Sequence, residues 1–298
     1  LEGRQIGMDF EPRDGWRMYH GETVPGFPAH PHRGFETVTV VQQGFVDHAD
    51  SRSAAGRYGG GDVQWMTAGR GLQHSEMFPL LSEDKENTLE LFQIWLNLPA
   101  KDKMTEPAFK MLWSEDIPEL READAAGKET RVILYAGELG GLTPPAPAPD
   151  SWAADPDNHV AIWNIILPPG GEWTLPADVS GLNRRLYFYR GRGLRVDDTA
   201  MPEYHAVDLR SDAATALSNS GDEEARLLVL QGRPIGEPVA RHGPFVMNRP
   251  EEIQQAFLDY QKPQFGGWPW QDPGPVHGGE FKRFARYADG REESRPVD

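Results

Sequence analysis

Two stretches of this chain repeat one pattern, and that pattern allows strands and little else. "VPGFPAHPHRGFETVTVVQQGFV" starts at Val24, and "LPPGGEWTLPADVSGLNRRLYFYRGRGLRV" starts at Leu167. Each runs from a Pro/Gly turn through a polar segment into a β-branched or aromatic run, then a Gly and a further strand. Short alternating runs bounded by turn residues read as antiparallel sheet, not as amphipathic helix. The 32 Gly and 26 Pro fall between apolar runs, so they mark turns rather than disorder. The repetition points to a duplicated β-barrel unit in an all-β protein.

The rest of the chain fits this reading. "TLELFQIWLNL" (88–98) alternates as a strand with a mostly buried face, and "RVILYAGEL" (131–139) opens the second β series. "DIPELREADAAGKET" reads as a loop with a helical turn at most, and the Pro-rich "TPPAPAPDS" (143–151) as an exposed extended loop. One helix is expected, over "RPEEIQQAFLDYQK" (249–262), with Pro250 at its first position and Ile253, Phe257 and Tyr260 on one face. Residues 288–298 are polar and are expected to fray.

Composition removes several function classes. The formal charge of −16 repels phosphate backbones, which argues against direct contact with nucleic acid. With no cysteine there are no disulfides, thiolate metal sites or cysteine nucleophiles, so a metal here takes nitrogen and oxygen ligands. No apolar run reaches the ~20 residues of a spanning helix, and the first residues carry no apolar signal-peptide core; the expectation is a soluble cytoplasmic protein with no membrane contact. "GRGLRV" (191–196) has no helix after it and reads as a hairpin turn, not a nucleotide loop.

Four residues could converge on a metal. Side chains two apart on a strand share a face; His30 and His32 in "HPH" satisfy this, and so do His74 and Glu76 in "HSE". Glu36 has the same parity as the first pair unless Gly34 breaks the strand. Three imidazoles and one carboxylate make a hard-to-borderline site suited to Fe(II), Mn(II), Ni(II), Cu(II) or Zn(II). In the second β series the comparable stretch holds Trp173, Thr174 and Leu175, so only the first unit is expected to carry metal. His20, His159, His205 and His277 are isolated and read as structural or exposed; His48 is a distant candidate for the site mouth, and His242 for anchoring the tail.

"HPHRGFETVTVV", followed by "GDVQWMTAGRGLQHSEM" (61–77), resembles the signature of the pirin family within the cupin superfamily. The likeness continues in "QIWLNLPAKDKMTEPAF" (93–109) and "GRPIGEPVARHGPFVMN" (232–248), while the segment before Gly21 does not clearly match the family's first strands. The resemblance implies two jelly-roll-type cupin β-barrels with a short C-terminal helix: an N-terminal metal-binding barrel over 1–128, a degenerate C-terminal barrel over 129–240, and a tail over 241–298 that packs back. It further implies one mononuclear divalent metal, usually iron, on His30, His32, His74 and Glu76. Glu36, a ligand in many other cupins, would be a buried hydrogen-bond acceptor behind those ligands.

Some pirins cleave the flavonol quercetin with O2. That implies a metal-dependent dioxygenase in which Glu76 serves as the base for the flavonol 3-hydroxyl, with walls drawn from Phe35, Val38, Val40, Trp65, Met66 and Phe78. Other pirins are regulatory proteins that bind a transcription regulator or a metabolic enzyme, with the metal's oxidation state as a switch. The family also implies a monomer.

Overall fold

The computed structural model describes residues 24–297; the expectations for the chain start and for His20 fall outside that range. The chain is mostly strand, and two cupin domains account for it. It divides into two compact units, one holding the residues up to Ser114 together with those from Glu237 onward, the other Glu115–Gly236.

The first unit opens with β1 (Gly26–His32), β2 (Phe35–Gln43), β3 (Phe45–Asp50), β4 (Ala55–Gly59), β5 (Val63–Thr67), β6 (Leu72–Met77), β7 (Glu90–Asn97) and β8 (Ala108–Leu112). The second unit holds β9 (Glu119–Ala123), β10 (Glu129–Ala136), β11 (Ala161–Leu167), β12 (Glu172–Leu175), β13 (Asn183–Arg190), β14 (Leu194–Val196), β15 (Thr199–Ala200), β16 (His205–Asp208), β17 (Thr215–Asn219) and β18 (Ala225–Gly232). The chain then returns to the first unit with β19 (Ala240–His242), β20 (Phe245–Met247), α1 (Pro250–Gln261), β21 (Arg283–Arg286) and β22 (Glu292–Arg295).

In the first unit, one sheet runs β1-β6-β3-β4-β21-β22 and a second runs β7-β2-β5-β8. Strand β2 is central in its sheet and both its faces are covered, which is why "FETVTVV" is buried throughout. Between β1 and β2 the chain turns at Gly34, whose φ of +84° is left-handed and where a Cβ would lie 2.0 Å from the Val246 carbonyl oxygen. Lys103 pins this turn: its buried ammonium donates to Gly34 O (2.8 Å), Asn97 Oδ1 (2.8 Å) and Val246 O (2.9 Å).

The second unit pairs a β16-β13-β18-β11-β10-β9 sheet with a β12-β17-β14-β15 sheet. Its interior is apolar: Val132, Leu134, Ile165, Leu186, Phe188, Leu227 and Val229 form one cluster. Trp173 and Leu175, two apart on β12, point into this cluster, while Thr174 between them is exposed. A histidine pair in that geometry would face a metal; here the same alternation fills the core.

Packing draws the boundaries differently from the sequence. The first unit ends at Ser114 and not at 128, because polar "ELREA" forms β9 and pairs with β10. An edge strand needs a partner's backbone more than an apolar pattern, so the segment reads as a loop in isolation. The tail is also ordered further than expected. β21 pairs with β4 and β22 with β21, so the polar residues 288–297 include a strand instead of fraying. α1 covers Pro250–Gln261 as expected; Ile253 and Ala256 are buried, with Phe257 and Tyr260 against Phe245 and Phe265.

Candidate metal centre

Strand β6 lies between β1 and β3, and His30 stands directly opposite His74 across the β1–β6 pair. His32, two residues on, shares the face of His30. Ring centroids are 4.4 Å apart for His30 and His74, 5.0 Å for His32 and His74, and 4.8 Å for His30 and His32. One ligand atom from each of the three imidazoles lies within 4.8 Å of the other two.

The chemistry of this cluster fits a cation. Neither ring nitrogen of His32 or of His74 has a hydrogen-bond partner, although both side chains are buried. Buried polar atoms are almost always paired, and a metal ion would take one of the two nitrogens of each ring. His30 differs: its Nδ1 contacts Pro28 O at 2.9 Å, which places the ring proton on Nδ1 and leaves the lone pair on Nε2. The three histidines could therefore hold a metal, and nitrogen donors suit several divalent first-row ions.

Burial keeps the rings of His32 and His74 neutral. The His32 pKa is lowered to about 3, by burial first and then by His30 nearby, with the Pro244 backbone opposing. His74 is lowered well below the ordinary imidazole value, first by burial and then by His30, His32 and His48. The sign for stability follows. An unfolded chain takes up these protons near pH 6.5, whereas folded His32 stays neutral down to about 3. The stabilisation is fully present above 6.5 and is lost as pH falls toward 3. Metal-free protein should therefore show a urea midpoint that declines steadily below pH 6.5, with a shallower decline in a His32→Asn variant.

Glu76 sits beside the imidazoles but outside their mutual set. Its Oε2 is 3.8 Å from His74 Nε2. Its carboxylate accepts from the Gln93 amide nitrogen, at 2.9 Å on Oε1 and 2.7 Å on Oε2, and from the Thr39 hydroxyl at 3.3 Å on Oε1.

Glu36 is elsewhere. Phe35 touches His32 and Thr39 touches Glu76, so the odd positions of β2 face the cluster; Glu36 points to the opposite face. It accepts from Trp65 Nε1 (3.0 Å) and Thr67 Oγ1 (2.7 Å) on that face. The turn at Gly34 resets the parity, which is why counting from His32 misplaces it. Val38, Val40 and Trp65 go with Glu36, leaving Phe35 and Met66 on the cluster's side of the sheet. Phe78 touches Phe27, which in turn meets His30 edge-on.

Three further residues stand near the cluster: Trp95, which the sequence did not single out, His48, its distant candidate for the site mouth, and His277. Trp95 lies 5.6 Å from the His32 ring and 4.3 Å from Phe35, yet is 49% exposed. It faces a cleft of about 600 Å³ lined also by Phe35, Asn97, Arg241, His242 and Val246. His48, opposite Glu76 on β3, is wholly buried, 5.6 Å from His74, stacked on Phe109 and 3.4 Å from Asp50. The His277 ring contacts the His48 carbonyl at 2.8 Å, so it is a tail anchor rather than an isolated residue.

Residues 8–96 match the family model described as Pirin, and residues 162–266 that described as Pirin C-terminal cupin domain. A Pseudomonas aeruginosa protein named provisionally as a quercetin 2,3-dioxygenase is 41% identical over 241 residues, covering 80% of this chain and 79% of its own. The chain belongs to the pirin family. A pirin-like protein of Solanum lycopersicum is 39% identical, covering 79% of this chain and 75% of its own. The crystal structure of a quercetin 2,3-dioxygenase from Acinetobacter baumannii superimposes with a TM-score of 0.71 at 33% identity, over 82% of this chain and 80% of that one. Among the described residues, no helix of this pirin is long and apolar enough to cross a membrane.

Proposed function

We propose that this pirin is a dioxygenase that opens flavonols of the quercetin type with O2 at one divalent metal, Fe(II) first among the candidates. The metal would be held by His30, His32 and His74, with Glu76 as the fourth group. One observation carries the reading: the imidazoles of His30, His32 and His74 converge beside a carboxylate, the latter two buried with unpartnered ring nitrogens, next to a cleft walled by Phe35 and Trp95. The cleft's volume lies within the ~300–1,000 Å³ typical of small-molecule sites.

When bound, the metal supplies Lewis acidity that lowers the pKa of a chelating flavonol hydroxyl. Glu76 accepts that proton, and the Gln93 and Thr39 donors keep its carboxylate oriented for the transfer. Trp95 and Phe35 stack against the planar ring system and exclude water from the His32 side. The names carried by the Pseudomonas and Acinetobacter relatives support the same reaction class.

The test is oxygen uptake with quercetin by protein loaded with Fe(II) and, in parallel, with Mn(II), Ni(II), Cu(II) and Zn(II). Flavonol-dependent uptake is expected with at least one metal. A fully metallated protein that consumes no oxygen with any flavonol overturns the enzyme reading and leaves the regulatory one.

A further inference from the structure

We infer that the cleft beside the imidazole cluster selects a planar aromatic compound that carries a carboxylate, and that Arg241 recognises this charge. The inference rests on the cleft being the substrate site proposed above, and it narrows the substrate to an anionic class.

Among the described residues, Arg241 is the one arginine whose side chain makes neither a hydrogen bond nor an ion pair. That is unexpected in a chain where acidic residues outnumber Lys and Arg by 46 to 30. Arg241 is exposed on β19, and it is the one permanently charged residue lining the cleft, which has no acidic lining residue. Its strand is firmly held. Arg241 pairs with Val246 in the β19–β20 hairpin, and the Val246 N–H donates to Arg33 O at 3.0 Å, next in sequence to His32.

A second positive charge stands behind the same wall. The buried Lys103 ammonium donates to Gly34 O, Asn97 Oδ1 and Val246 O, all uncharged, and Asn97 and Val246 line the cleft. Burial lowers its pKa to about 8, against the pull of Glu237 and Glu252, so it remains charged at neutral pH. Buried charges are normally met by an opposite charge, and no carboxylate touches this one. With its Oδ1 turned to Lys103, Asn97 keeps an NH2 group that has no partner among the described residues. The cleft thus offers donors and positive charge beside an aromatic wall.

That wall sets the orientation. The Phe35 and Trp95 rings lie 4.3 Å apart and both meet the His32 ring. A flat ring system against them keeps its chelating end toward His32 and presents its far end to Arg241. A carboxylate matches the guanidinium fork there.

Anaerobic calorimetric titration of Fe(II)-loaded protein tests this with two probes, 3-hydroxyflavone and its 4′-carboxylate, which share the chelating end and differ in charge. The carboxylate is expected to bind about fivefold more tightly, the upper range for a solvent-exposed ion pair. The preference should shrink at high salt, vanish in Arg241→Gln and invert in Arg241→Glu. Affinity for the neutral probe should be the same in Arg241→Gln as in the unaltered protein, which shows the cleft intact. Equal binding of the two probes, binding of neither, or a preference that survives in Arg241→Gln overturns the inference. Charge-dependent binding without oxygen uptake overturns only the dioxygenase reading, whereas flavonol-dependent uptake without a charge preference overturns only this inference.

Discussion

His74→Ala is expected to abolish metal uptake and, with it, any flavonol-dependent oxygen consumption. His74 is the hub of the cluster: it faces His30 across the strand pair, its ring is 5.0 Å from that of His32, and its Nε2 lies 3.8 Å from Glu76 Oε2. Without it, the remaining imidazoles come from one strand, and Glu76 loses its neighbour. Metal affinity should fall by more than the ~10–100-fold that follows loss of a group merely supporting a ligand. Stability in the absence of metal should change little, because the removed ring had no hydrogen-bond partner to lose. The decisive measurement is thermal: unaltered protein should gain about 2.7 kcal/mol at a metal concentration of 100 Kd, and the variant nothing. A full metal-dependent shift in His74→Ala would remove His74 from the site.

Arg57→Leu is expected to destabilise the first unit by about 3–5 kcal/mol. Arg57 and Asp47 form a wholly buried bidentate pair, with Nε to Oδ1 and Nη2 to Oδ2 both at 2.6 Å. Arg57 also donates to the carbonyls of Gly278 (2.8 Å) and Glu280 (2.5 Å), and the His277 backbone N–H donates to Asp47 at 2.8 Å. Leucine leaves the carboxylate buried and charged, with the tail's backbone as its remaining support. The loss should show in the urea midpoint, and hydrogen exchange should rise first over residues 277–286. Replacing both partners with apolar residues should recover much of the loss, since the uncompensated charge causes most of it. An Arg57→Leu variant within 1 kcal/mol of the unaltered protein would show that the pair carries no such weight.

Arg57 also shows why the tail's order was not legible. Residues 277–297 have no apolar period; Arg283 is held by Asp62 at 2.6 and 2.9 Å, and Tyr287 and Ala285 pack with Tyr58 and Trp113. Those partners lie more than 170 residues earlier, and a polar segment whose contacts are distant looks like a loose end. Gln93 and Trp95 were obscured in the same way. On β7 they read as ordinary alternating positions of a buried strand, and only the pairing of Thr39 with Gln93 brings the amide to Glu76.

The parts that local geometry governs could be read directly. Strand alternation places His30 with His32 and His74 with Glu76 on common faces, and apolar Trp173 and Leu175 at the comparable stretch turn inward to a core. Turn residues at Pro, Gly and Asn mark the strand ends, and Pro250 marks the start of the helix. What required the folded chain was everything that depends on which strands meet. A side chain's face is set by a period of two within its own strand, so one left-handed residue at Gly34 sends Glu36 to the opposite side of the sheet. Whether two strands lie side by side is set by burial and backbone pairing across long separations. That is why the two candidate pairs were visible in the sequence, while the convergence of the histidines, the hydrogen bonds from Gln93 to Glu76 and the cleft beside them belong to the tertiary structure.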